Sequence, residues 1–435
     1  MRLCKIVLAG LALLMLAGLI DRGIVPAISG KKSDASASND FAGPWIGAWM
    51  WRHDQNPYDV ALTSAVGRRF LNNDRPVVLI YPATSCMLLS PFTLLSWKTA
   101  NFVWSLLGVV GLAAIALSLL SLGRFRFEDI RGWFLVLIVF SLTPFRAGVL
   151  VENPAIVCIA LCLAAIYLAS VERDTVSGMV LAMATALKPN LCIWILAFYL
   201  LRRRWRLSLS CIISGIVMTS VTLARLSISP FRLLANYTQN IQETLGPGGS
   251  NAFSTGNPLG LLNLQVVFHP MVGGAASLLA YLVFAIGLGI WFWAVLRNPS
   301  CPEALALGSL LALSFLPIYH RVYDIGILTL TLCWALGRAS EPFGLLRRTT
   351  VILMLLFLIP ERTFGAFSMA YLPATVRSTM WWSMIVLPHS VWILLLLNIV
   401  LLCALAQLRL VHEGSRSDHK RTLLPVPSSL KVAIF

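Results

Sequence analysis

Apolar runs of about twenty residues recur from one end of this chain to the other, starting with "MRLCKIVLAGLALLMLAGLI" and closing near Val391–Leu410. Coiled as a helix at 1.5 Å per residue, a run of that length matches the ~30 Å hydrocarbon core of a bilayer. Inside such a core every backbone N–H and C=O must find a partner within the protein, which leaves helices or a closed barrel. The period-two alternation of barrel strands is absent, so the chain is expected to be an all-α polytopic membrane protein. Only 12% of the 435 residues are charged, about half the share carried by soluble domains.

A net charge of +16 could point to nucleic acid. The arginines, however, cluster between the apolar runs, as in "RRRWR" (Arg202 to Arg206) and "RFRFEDIR" (Arg124 to Arg131). Short basic loops of that kind orient helices in the membrane, so no nucleic-acid partner is expected. Most of the nine cysteines lie within apolar runs and read as small packing residues; Cys158 and Cys162 sit one helical turn apart without evident metal partners. Cys86 is expected to face an oxidising compartment, and no structural disulfide is expected. The first apolar run lacks a small-x-small cleavage site and reads as an uncleaved first helix.

Further spans are expected near Asn101–Leu122, Trp133–Leu150, Pro154–Ser170, Thr175–Leu187, Leu191–Leu201, Leu207–Leu226, Met271–Leu296, Ala304–Ile318, Val322–Leu336, Val351–Leu358 and Val391–Leu410. Counting the first, that makes about twelve transmembrane helices in a single domain, residues 1–435. Both termini, including a basic tail over 411–435, then fall in the cytoplasm. Two long loops fall outside, and the first, from Asp21 to about Trp97, is too long for a simple connection. Within it Phe41, Trp45, Ala48 and Trp49 recur at helical spacing, which predicts a short helix over Phe41 to His53 lying in the membrane interface, with Trp45, Trp49, Trp381 and Trp382 as interface anchors.

Two places carry chemistry. "KPN" (Lys188 to Asn190) breaks a helix at or near membrane depth, which is tolerated only where the break lines a cavity or is buried in protein. "YHRVYD" (Tyr319 to Asp324) packs five polar or ionisable groups into six residues at the end of a late span. Traced along the spans, Lys188, His320, Arg321, Arg146, Glu152 and the Asp40 segment all approach the outer face. By pattern alone, Asn39-Asp40 reads as an N-cap for the helix that follows, Lys188 can be a snorkelling cation, and Asp54, Asp59 and Asp74 read as turn residues.

Taken in order, the acid in the first outer loop, "NPYD" (Asn56 to Asp59), "IYPATSCMLLSPF" (Ile80 to Phe92), "GMVLAMATALKPNLCIWILAFYLLRRRWR" (Gly178 to Arg206) and "SFLPIYHRVYD" (Ser314 to Asp324) resemble glycosyltransferase family 87 of the GT-C superfamily. The resemblance covers roughly residues 40–336. The chain departs from the family at Leu150-Val151-Glu152-Asn153, where a Gly-Gln-x-Asn pattern is expected, and at Ala83, where a second proline often stands.

The resemblance implies a GT-C-type helical bundle that moves a hexose, mannose by default, from a polyprenyl-phosphate-linked donor to a glycolipid or cell-envelope glycan acceptor. By position it makes Asp40 the catalytic acid residue of the first outer loop. Lys188, Arg321 and His320 become ligands of the donor phosphate, with Glu152, Asn153, Arg146, Tyr58 and Asp324 in acceptor or supporting roles. One carboxylate suffices for such a transfer. Ordinary glycosidases pair two because an alkoxide leaving group needs a proton, whereas a phosphate leaves as an anion if cations meet it. No HExxH, CxxC, Walker or DxD-like pattern appears, so no cofactor and no metal are expected. Rival readings are a transporter or flippase of lipid-linked sugars and an O-antigen-ligase-type envelope enzyme.

Overall fold

The computed structural model describes residues 2–28, 39–72, 76–246, 249, 251–252, 260–296, 298, 301–337, 343–360, 365, 367 and 369–422. Among them the chain is helical, with a single isolated β-bridge between Leu261 and Arg321. In chain order the helices are α1 (Arg2–Ile28), α2 (Ala42–Arg52), α3 (Val60–Leu71), α4 (Ala83–Leu89), α5 (Trp97–Leu122), α6 (Ile130–Ser141), α7 (Thr143–Leu150), α8 (Ala155–Ser170) and α9 (Asp174–Leu187). Then come α10 (Pro189–Leu201), α11 (Trp205–Leu226), α12 (Pro230–Leu245), α13 (Leu264–Val272), α14 (Ala276–Leu296), α15 (Glu303–Ser314), α16 (Leu330–Ala335), α17 (Gly344–Leu356) and α18 (His389–Thr422). A 3₁₀ segment, Val322–Thr329, leads into α16.

Surface chemistry marks this as a membrane protein. Leu278, Leu282, Ile286, Ile290 and Trp293 form an exposed stripe down α14, while Ala280, Gly287, Trp291 and Ala294 pack inward. Leu209, Ile212, Ile213, Ile216, Val217 and Val221 do the same on α11. Apolar surface of that extent belongs against lipid. Among the described residues five helices are long and apolar enough to cross a bilayer, or six if the α6–α7 pair, bent by 43°, counts as one span. The expected dozen is not reached: α8, α9, α10 and α15 are apolar but only 12 to 16 residues long, short of the ~20 that a full crossing takes.

Of these, α8 and α15 are buried nearly all round, while α9 and α10 each keep an exposed apolar side, at Val176, Met179 and Met183 and at Ile193. α8 is apolar all round and packs against α5 and α9; α9 packs in turn against α11. Gly178 permits that last contact. A Cβ there would stand 2.3 Å from the Leu207 carbonyl oxygen and 2.8 Å from the Cys211 nitrogen, so only a residue without a side chain lets α11 approach so closely.

The helix expected over Phe41 to His53 exists as α2, but its apolar side packs on protein and not on headgroups. Phe41, Ile46 and Ala48 are fully buried, and Trp45 nearly so. The Phe41 ring stacks on Trp104 at 4.4 Å and on Trp97 at 5.9 Å, and Trp45 donates its indole N–H to the Phe92 carbonyl. α2 is thus a core helix, roofed by α4 and the Ser90–Leu94 turn. Trp382 is also buried, whereas Trp381 remains exposed. Cys86, expected to face an oxidising compartment, is buried beneath Gly47. Asp59 caps α3 through bonds from the Ala61 and Leu62 amides, as its turn chemistry suggested, and Asp54 pairs with Arg225 at 3.1 Å. Asp74 and the last part of the basic tail, 423–435, lie outside the described residues.

Candidate active site

Asp40 is positioned by its neighbours on both sides. Its amide donates to the Val151 carbonyl at 2.7 Å, while Phe41 next to it is locked between two tryptophans. Asn39 accepts from the Phe41 amide at 3.0 Å and donates to Asn101 and Glu152 at 2.9 and 2.7 Å. Phe41 is the residue that caps α2, and it supplies no side-chain cap. The capping role that the sequence offered for Asp40 is therefore not the one its side chain plays. The carboxylate instead accepts from the Asn153 amide at 2.7 Å.

The Leu150-Val151-Glu152-Asn153 departure acquires a physical account here. Glu152 turns the chain between α7 and α8 at φ +58°, a left-handed conformation that favours glycine. Its buried carboxylate receives Ser105 at 2.6 Å, Asn39 at 2.7 Å and Asn101 at 3.4 Å, and its carbonyl receives the Trp104 indole at 2.9 Å. Glu152 is a tether that ties the Asp40 segment to α5. Asn153, one residue on, is what meets Asp40.

The second half of the site comes from the helix break and the late cluster. Lys188 adopts extended backbone (φ −146°, ψ 87°) between α9 and α10 because a residue before proline is pushed out of the helical region. The loop carrying His320 and Arg321 is fixed by the β-bridge: Leu262 donates to the His320 carbonyl at 3.0 Å and Val322 to the Gly260 carbonyl at 3.1 Å. Gly260 sits at φ +82°. Lys188 Nζ then lies 2.5 Å from Asp324 and 4.9 Å from the centre of the Tyr323 ring. Asp324 also approaches His320 Nδ1 at 3.4 Å and accepts the Arg321 amide at 3.2 Å. His320 is fully buried, stacks on Phe315 at 4.1 Å and lies 3.3 Å from Asn190. Arg321 bonds Tyr319 at 2.8 Å and Asn251, both neutral partners.

These halves meet. Burial raises the Asp40 carboxyl above the ordinary 3.8, while the Asn153 amide, the charges of Lys188 and Arg321, and a hydrogen bond with Tyr323 pull it back. Tyr81 completes the wall, its hydroxyl 3.5 Å from Asn153. Burial also holds His320 below its ordinary value, against the pull of Asp324, and leaves Nε2 with no hydrogen-bond partner among the described residues. Asp40 thus lies within the field of the Lys188 and Arg321 charges, with His320 held against Asp324 on the loop that carries Arg321.

With that geometry in view, comparison with known families is decisive: the profile of glycosyltransferase family 87 matches residues 79–317, more than half of the chain. This chain belongs to glycosyltransferase family 87. No curated protein matches it. A family 87 glycosyltransferase is an enzyme that joins a sugar donor to an acceptor, so the carrier reading falls away.

Not every expected site residue of this glycosyltransferase converges on Asp40. Tyr58 is buried elsewhere, donating its hydroxyl to the Tyr81 carbonyl at 2.9 Å. Arg146 is half-buried on α7, and its side chain has no partner among the described residues. Residues not singled out as site candidates also line this region: Asn39, named only as a cap, and Tyr81, Tyr323, Asn190 and Asn251. Tyr81 and Tyr323 lie within the quoted motifs "IYPATSC" and "YHRVYD", but spacing gave no hint that they would face one carboxylate. The cysteine reading also needs correction. Cys192, from α10, sits 3.7 Å from Cys158 and 3.4 Å from Cys162, so those two do have a third thiol beside them.

Proposed function

We propose that this family 87 enzyme is an inverting hexosyltransferase, with mannose the favoured sugar. It takes the sugar from a polyprenyl-phosphate donor and passes it to a glycolipid or cell-envelope glycan on the extracytoplasmic face. The observation that carries the reading is one buried carboxylate, Asp40, held by Asn153 within the field of the cations Lys188 and Arg321. Asp40 accepts the proton of the acceptor hydroxyl as that oxygen attacks the anomeric carbon. The carbon–phosphate oxygen bond breaks, and the polyprenyl phosphate leaves as an anion.

The cations divide the work. Lys188 is already neutralised by Asp324 at 2.5 Å, whereas Arg321 has only neutral side-chain partners among the described residues. Arg321 is therefore the principal phosphate ligand, and Lys188 shares its charge between Asp324 and the donor. His320, kept neutral with Nδ1 turned to Asp324, offers Nε2 as the acceptor for a hydroxyl of the donor sugar. Arg146 stands by as a further cation, and Asn153 keeps Asp40 aimed.

The test is incubation of membranes containing the enzyme with a radiolabelled polyprenyl-phosphate hexose, followed by identification of the labelled product. Label in a glycolipid or envelope glycan is the expected result, with the mannosyl donor used best. Label that stays in the donor for every hexose tried, with enzyme shown to be folded, contradicts the reading.

A further inference from the structure

The turn Asn56–Asp59 and α12 enclose an open cleft of about 350 Å³, a size within the range of small-ligand sites. Asn56 and Asp59 line it from the turn; Arg232, Asn236, Gln239 and Glu243 line it from one face of α12. Its charges, two carboxylates against one guanidinium, disfavour an anionic ligand such as the donor phosphate. What remains is a run of amides and carboxylates that alternate donors and acceptors, the chemistry that meets sugar hydroxyls. Several have capacity to spare. Asp59 spends one oxygen on capping α3, and Asn236 has no side-chain hydrogen bond among the described residues.

The cleft is wired to Asp40. Buried Asn240, which also lines it, donates to the Leu79 carbonyl at 3.1 Å, and Tyr58 donates to the Tyr81 carbonyl at 2.9 Å. The Tyr81 hydroxyl then meets Asn153, the partner of Asp40. The opposite face of α12 exposes Phe231 and Leu234, at 86% and 59%, so the helix can rest that side on lipid while its polar side faces the cleft.

We infer that this cleft is the binding site for the acceptor: a neutral, hydroxyl-rich saccharide headgroup carried on a lipid. The inference rests on the transferase reading above and adds where the acceptor is held. Binding energy from sugars remote from the reacting hydroxyl would position that hydroxyl at Asp40.

The experiment places a photo-crosslinker at the cleft, Asn236→p-benzoylphenylalanine, in the full chain in its native membrane. After irradiation the adduct is digested and its mass analysed. A hexose-bearing lipid without polyprenyl phosphate on the peptide is the expected result; a polyprenyl-phosphate hexose, a sugar-free phospholipid, a protein adduct or no adduct overturns the inference. In a second arm, the pair Asn236→Ala and Gln239→Ala is assayed against titrated membrane lipid extract. Acceptor KM should rise about tenfold, the worth of one or two lost hydrogen bonds, while donor KM holds; an unchanged acceptor KM overturns it. An Asp40→Asn background separates the two readings. A hexose-bearing adduct together with undiminished transfer sinks Asp40 as the base and leaves the cleft standing. No such adduct together with Asp40-dependent transfer sinks the cleft alone.

Discussion

Asp40 is a carboxylate held against its own preference for water. Burial raises its pKa above 3.8, so the ionised form needed for catalysis costs the fold free energy. The sign follows from linkage: a group whose folded pKa is raised lends its full stability below the unfolded value and loses it as pH climbs through the folded one. At pH 7, Asp40→Asn should therefore melt at or above the wild-type temperature in a thermal scan, and that advantage should vanish below about pH 4. A clear drop at pH 7 would mean the charge stabilises the fold. Transfer by the wild-type enzyme should fall on acidification at a higher pH than an ordinary aspartate would give. Lys188 carries a different expectation. Its partner Asp324 is buried, so Lys188→Met strands a charge at a cost of about 3–5 kcal/mol. Adding Asp324→Asn should recover much of the melting temperature without restoring donor use; recovery of both would make the ion pair purely structural. At this scale the sequence was half legible. The helix break at Lys188 and the polar knot at Tyr319 to Asp324 could be read because each is local. The bond between Asp40 and Asn153 joins residues 113 apart, and no spacing rule reaches that far.

Among the helices, length and burial decided what the pattern could not. α2 was expected from the spacing of Phe41, Trp45 and Ala48, and it formed within a residue of its predicted ends. Its surroundings were misjudged because tryptophan serves equally in a membrane interface and in a protein core. Only the stacking on Trp97 and Trp104, supplied from α5, distinguishes them. α9 offers the sharpest test of how an element positions the site. Gly178 at one end allows close contact with α11, and Lys188 follows the other end. Gly178→Val should force the two helices apart, costing about 1–3 kcal/mol through overpacking, and should weaken donor use although Gly178 touches no substrate. Wild-type melting and donor KM in that variant would show that the contact with α11 is slack.

At the scale of the molecule, short apolar helices pack among longer ones, with α8 and α15 buried nearly all round. That is why counting hydrophobic runs overestimated the spans that stand out by length. The arginine-rich turns set the expected orientation. Arg68→Cys, exposed on α3 in the first long loop, should react with an impermeant thiol reagent in intact cells, and Arg203→Cys, exposed in the "RRRWR" turn, should not; the reverse pattern would put Asp40 on the cytoplasmic side. The central claim is that one buried carboxylate in the first loop drives sugar transfer. Its most direct test is the initial rate of hexose transfer by purified Asp40→Asn enzyme at saturating polyprenyl-phosphate donor, with donor binding measured in parallel. The account predicts a rate lowered about 10²–10⁴-fold, the usual worth of a general base, with donor binding and folding close to wild type. Transfer at or near the wild-type rate would contradict it.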